Sequence, residues 1–174
     1  YVKEIRNDIS RLETITDRFS KIGSIPQLKP IDINSATKKS INYLKSRSSN
    51  LIEYEILIPE VKNNVDLNEE LFGWTIENLV KNGIDAMKGK GKIKIVAFSS
   101  EQFAFIEISD TGNGIPKNNF KTVFETGYTT KKRGWGLGLS LTKRIIEQYH
   151  GGKIKVLKSE IEKGTTIQIA LKKL

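Results

Sequence analysis

The sequence predicts an α/β two-layer sandwich with its helices on one face of a sheet. Helical and strand-like patterns alternate along the chain, the strand-like runs fall into antiparallel pairs, and glycine clusters mark the changes between them. With 174 residues, 37% of them hydrophobic and 28% charged, the composition is that of a globular domain. No run approaches the roughly 18 apolar residues a membrane-spanning helix needs, and no signal-peptide pattern opens the chain. There is no cysteine, which excludes disulfides, zinc–thiolate sites and cysteine nucleophiles. A single histidine, His150, excludes a multi-histidine metal site. The start at Tyr1 is what a fragment or a processed product would show.

Residues 1–23 predict one helix. Val2, Ile5, Ile9, Leu12, Ile15, Phe19 and Ile22 recur at steps of three and four, the seam spacing of a helical bundle. Gly23 and Ser24 end it, and Pro26 and Pro30 frame a linker, so the domain boundary falls between residues 25 and 31. Residues 33–47 suit a helix capped by Asn34 or Ser35. Residues 53–58 are strand-like. Asp66 followed by Glu69 reads as a capping pair opening a helix that runs to Met87, where Gly89 and Gly91 stop it. Residues 92–98 and 103–109 suit a hairpin. A glycine-rich, mobile stretch is expected over 110–136. An amphipathic helix over 137–149 is closed by Gly151 and Gly152, and residues 153–157 and 165–171 form the last strands.

The net charge of +9 favours an anionic partner: nucleic acid, nucleotide, phosphorylated protein or acidic membrane. It does not choose among them, and the basic residues are spread as on a solvated surface.

Three stretches carry possible chemistry. Asn78, Asn82 and Asp85 stand within about 60° of one another on the helix ending at Met87, a polar line among apolar neighbours. A hard cation with its waters and a phosphate would satisfy such oxygens, and magnesium takes few protein ligands. Asp110-Thr-Gly112-Asn-Gly114-Ile115-Pro follows a strand. A carboxylate there can accept from the exocyclic amine of adenine and disfavours guanine, while the glycines let the backbone approach a flat ring. Gly134-Trp-Gly136-Leu137-Gly138-Leu139 leads into a helix, so its amides point at an anion, with Thr129, Thr130, Lys131 and Arg133 just upstream. The string is neither a P-loop nor a dinucleotide fingerprint, and eukaryotic-type kinase signatures are missing.

The order and spacing of these stretches resemble the GHKL (Bergerat-type) ATP-binding fold, shared by sensor histidine kinases, type II topoisomerases, mismatch-repair ATPases and the large heat-shock chaperone. The resemblance covers about residues 31–174. Residues 77–87 are similar to its N box, 110–116 and 134–139 to its glycine boxes, Phe120 to Phe124 to its phenylalanine box, and 164–171 to its last strand. It implies a mixed, mostly antiparallel sheet. Hydrolysing members carry a glutamate four residues before Asn82, where this chain has Asn78; Glu77 lies about 100° round the helix. Asn78 with Asn82, the Thr129-Thr130-Lys131 triplet and His150-Gly-Gly resemble the sensor histidine kinase branch of two-component systems. Gly83 departs from the usual alanine and would allow close packing.

The resemblance implies an enzyme that transfers the γ-phosphoryl group of ATP to a histidine, with Asn78, Asn82 and Lys131 as catalytic residues. Asn78 and Asn82 would hold Mg²⁺. Asp85, Asp110, Gly112, Gly114, Ile115 and Thr165 would form the nucleotide pocket. Thr129, Thr130, Lys131, Gly134, Gly136, Leu137, Gly138 and Leu139 would hold the phosphates. Residues 1–25 are similar to the end of a dimerisation and phosphoacceptor domain, whose acceptor histidine this chain lacks. A receiver domain of a response regulator, a homodimer through the N-terminal helix, no nucleic acid, and a cytoplasmic location within a parent that can be membrane-anchored complete the expectations. The alternatives are a GHKL ATPase, a serine-directed kinase, or a basic nucleic-acid-binding module.

Overall fold

The computed structural model describes residues 26–129 and 136–174. The helix expected over residues 1–23 lies outside them, as do Thr130, Lys131 and Gly134.

Strand β1 (Lys29–Asp32) pairs antiparallel with β3 (Asn64–Leu67), Pro30 facing Asp66. A proline-bearing run of four residues reads as a linker because it is too short to show alternation. Helix α1 (Ile33–Lys45) follows β1 directly. Its cap is Asp32, not the expected Asn34 or Ser35. The Asp32 carboxylate accepts from the amides of both, each at 3.2 Å. Asn34 is buried instead, and its side chain donates to the Val61 carbonyl at 2.7 Å, tying the loop after β2 (Ile52–Leu57) to the helix.

Helix α2 (Glu69–Ala86) is capped by Asn68, whose Oδ1 accepts from the Leu71 amide at 3.0 Å. The expected Asp66–Glu69 pair is corrected: Asp66 belongs to β3, where its backbone is already committed to β1. Phe72, Ile76, Leu79 and Val80 are buried. Burial of each such side chain stabilises the fold by about 1.5–3 kcal/mol.

The main sheet has the order β2-β4-β5-β7-β6, from β2 through β4 (Gly91–Ser99), β5 (Phe103–Asp110) and β7 (Gly164–Lys172) to β6 (Lys153–Glu160). Only β2 and β4 run parallel, and α2 lies in their crossover; the other pairs are antiparallel. Ile93, Ile95, Ile106, Ile108, Ile167 and Ile169 alternate onto one face, against α2, with α1 packed beside α2. One register shift interrupts this sheet. Between Val156 and Lys158 an extra residue, Leu157, forms a bulge in β6.

The stretch after β5, expected as mobile, contains two short 3₁₀ turns, Lys117–Asn119 and Thr122–Phe124, anchored by buried Val123 and Phe124. The helix expected over 137–149 is α-helical only as α3 (Gly138–Arg144) and continues as a π turn (Ile145–Tyr149). Such a widened turn is a tertiary adjustment that sequence periodicity does not show.

Candidate functional site

The end of β5, the inner side of α2 and the start of α3 enclose a cavity of about 630 Å³, within the usual range of ligand sites. Asp110 stands at its β5 end. The Gly112 amide donates to Asp110 Oδ1 at 2.8 Å, and the Thr165 amide also faces the carboxylate. Burial raises the Asp110 carboxyl above its ordinary range, with the two amides pulling the other way. Helix α2 comes close here through Gly83. A Cβ on Gly83 would lie 2.9 Å from Ile93 Cδ1 and 3.0 Å from Asp110 Cβ. The close packing expected at this glycine is therefore present.

The loop after Asp110 is wedged between two backbones. A Cβ on Gly112 would lie 2.6 Å from the Ala86 Cβ, and one on Gly114 would lie 2.1 Å from the Glu160 carbonyl oxygen, with the Gly114 φ at 75°. Gly114 and Ile115 line the cavity; Gly112 sits behind it and acts on Asp110 through its amide.

Asn78, Asn82 and Asp85 all line the cavity from α2. The Asn78 amide nitrogen donates to Thr142 Oγ1 of α3 at 2.9 Å. A Cβ on Gly138 would lie 2.6 Å from Asn78 Oδ1, so any side chain there would push the Asn78 amide out of its present position. With its nitrogen engaged, Asn78 keeps its oxygen as an acceptor. Among the described residues no group of three His, Cys, Asp or Glu side chains could hold a metal. The donors present fit a hard cation that keeps water and phosphate as its other ligands. Glu77 does not line the cavity; it pairs with Lys81 one turn on.

From the opposite side come Thr129, Gly136, Leu137, Gly138 and Leu139. Leu137, at the N-cap of α3, makes no side-chain capping bond, and the first amides of an α-helix have no partner within the helix. Thr165, buried at the start of β7, completes the wall beside Asp110. Thr130, Lys131 and Gly134 lie outside the described residues.

Sequence reasoning missed several lining residues. Ile108 and Ile167 belong to the apolar inward faces of β5 and β7, so the pattern marks them as core without marking them as walls. Trp74 lies one turn before Asn78 and was legible from helical spacing. Tyr128, held by a 2.9 Å hydrogen bond from Asn119, and Lys88 are brought in by tertiary packing alone. His150 stands apart from the cavity. It is buried, its Nε2 accepts from the Asn68 amide at 3.0 Å, and its Nδ1 contacts the Ile145 carbonyl at 2.9 Å. Burial lowers its pKa and favours the neutral ring.

The sequence model of one protein family, described as histidine kinase-, DNA gyrase B-, and HSP90-like ATPase, matches residues 68–174. The chain is 31% identical over 150 residues to the sensor histidine kinase ZraS of Escherichia coli (strain K12), covering 83% of this chain and 31% of that protein. It is 29% identical over 176 residues to sporulation kinase D of Bacillus subtilis (strain 168), covering 98% and 34%. It thus spans about a third of the length of these curated relatives. Among solved structures, the histidine kinase ThkA in complex with the response regulator protein TrrA is similar over 100% of this chain and 51% of that one, with a TM-score of 0.80 and 25% identity. The nucleotide-free catalytic domain of ThkA is similar over 85% and 97%, with a TM-score of 0.75 and 26% identity.

Proposed function

We propose that this chain, which belongs to the histidine kinase-, DNA gyrase B-, and HSP90-like ATPase family, presents ATP for phosphoryl transfer to a histidine that lies outside these 174 residues. It is the catalytic ATP-binding domain of a two-component sensor histidine kinase. The observation that carries the proposal is one cavity that joins Asp110, the Asn78–Asn82 line and the Gly136–Leu139 segment. In it Asp110 accepts from the adenine amine, with Gly112 orienting the carboxylate, Gly114 and Ile115 shaping the floor, and Thr165 beside it.

Asn82, with the oxygen of Asn78, would hold Mg²⁺, which neutralises phosphate charge when bound. Asp85 borders the same end. Thr129, the amides of Gly136 to Gly138, and Leu139 would surround the phosphates, and the sequence motif assigns Thr130, Lys131 and Gly134 to the same task. Positioning and charge neutralisation suffice for this transfer, and no residue here needs to activate water. Glu77, turned away toward Lys81, supports retention of ATP over hydrolysis. The acceptor histidine would come from a dimerisation domain to which residues 1–25 belong, and a response-regulator receiver domain would take the phosphoryl group onward.

Calorimetric titration with Mg-ATP tests the assignment. Asp110→Ala should abolish binding of the adenine moiety with the fold retained. Asn82→Ala should remove the magnesium-dependent part of the affinity. If both variants bind Mg-ATP like the parent chain, the site assignment fails.

A further inference from the structure

The bulge at Leu157 resets the alternation of β6. Ile154 and Val156 face the core, and after the extra residue Ser159 turns to the same side, directly opposite Thr165 on β7. Ser159 Oγ then has three neighbours. The Ile115 amide lies at 2.7 Å, the Gly164 carbonyl at 3.0 Å and Thr165 Oγ1 at 2.8 Å.

A hydroxyl has one proton and two lone pairs, which settles the direction of each bond. The Ile115 amide can only donate, so Ser159 accepts there. The Gly164 carbonyl can only accept, so the Ser159 proton goes there. The remaining Ser159 lone pair takes the Thr165 proton. Thr165 lines the cavity, and its amide faces the Asp110 carboxylate. With its proton held by Ser159, its hydroxyl offers the cavity only lone pairs.

We propose that Ser159 is a specificity-positioning residue, which fixes Thr165 as an acceptor beside Asp110 and so sharpens the choice of 6-amino over 6-oxo purines. The proposal rests on the nucleotide reading above. A 6-amino purine brings donors to these two acceptors. A 6-oxo purine brings a carbonyl oxygen, which no proton meets. Removing the Ser159 hydroxyl frees Thr165 to rotate and offer its proton to that oxygen.

The test compares ATP with inosine triphosphate, by calorimetric titration into the parent chain, Ser159→Ala and Ser159→Thr, with thermal melting measured alongside. Loss of one such hydrogen-bond preference predicts that Ser159→Ala narrows the ATP-to-ITP affinity ratio by about 2- to 10-fold. Ser159→Thr, which keeps the hydroxyl, should restore the ratio. A merely structural role would lower both affinities together, and an unchanged ratio in Ser159→Ala overturns the proposal. Should that variant fail to fold, Thr165→Val asks the same question from the other side of the bond: a narrowed ratio supports the proposal, and a parental ratio overturns it. A parent chain that binds no ATP overturns the functional reading itself, and this proposal with it. ATP binding that is lost on Asp110→Ala, beside an unchanged ratio in Ser159→Ala, overturns this proposal alone.

Discussion

Asp110 is held in opposing ways by its surroundings. Burial favours its neutral form, whereas the proposed recognition of adenine would use the carboxylate as an acceptor. Its folded pKa lies above the ordinary 3.8. Between those two values the native state binds more protons than the unfolded chain. The contribution of Asp110 to stability is therefore fully present below the unfolded value and is lost as pH rises through the folded one. Asp110→Asn, which can keep the Gly112 bond, should gain stability relative to the parent as pH rises from 4 to 7, while adenine binding falls. Urea melts across that range decide it, and a variant that loses ground toward pH 7 would show that the amides outweigh burial. At this scale the sequence was informative where a residue type is tied to a backbone need. Asp110, Asn78, Asn82 and Gly138 stand together as their motifs suggested. The helix caps were not legible, because Asp32 and Asn68 compete with equally good neighbours and only the tertiary course of the chain chooses between them.

Elements meet at this site through missing side chains. Gly164 opens β7 at a φ of 106°, and a Cβ there would lie 1.9 Å from the Asp110 carbonyl oxygen. That oxygen belongs to β5, next in the sheet, so it cannot move aside without breaking the pairing. Gly164→Ala should destabilise the domain by about 3 kcal/mol or more, from overpacking and an unfavourable φ together. Gly151, with a φ of 62° and no atom within 4 Å of its absent Cβ, gives the contrast. Gly151→Asn should cost under about 1 kcal/mol, since asparagine tolerates the left-handed region. Chemical denaturation of both variants checks the pair, and a similar loss in each would contradict this account. The longer elements were legible from periodicity, α2 and the β4–β5 hairpin above all. The π turn, the Leu157 bulge and the short β1–β3 ladder were not, since each is an irregularity imposed by packing rather than by a repeating pattern.

The whole chain carries one histidine, and the fold holds it in a structural role. His150 is buried with both ring nitrogens engaged, away from the cavity. Incubated alone with labelled Mg-ATP, the chain should bind nucleotide yet incorporate no acid-labile phosphate; labelling that disappears in His150→Gln would reverse that conclusion. The overall architecture was legible because alternating helices and hairpins leave few ways to cover one face of a sheet. That the sheet is mixed followed from the family resemblance; that β2 and β4 are its parallel pair did not, because sequence pattern alone does not say which strands become neighbours.

Strand β7, late in the chain, lies inside the sheet, between β5 and β6. As the polypeptide leaves the ribosome, β6 therefore has no neighbour to join until residues 164–172 have also emerged. The end of the pocket formed by Asp110 and Thr165 cannot assemble progressively during synthesis. A nonsense codon at the start of that stretch would remove the strand through which β6 joins the rest of the sheet.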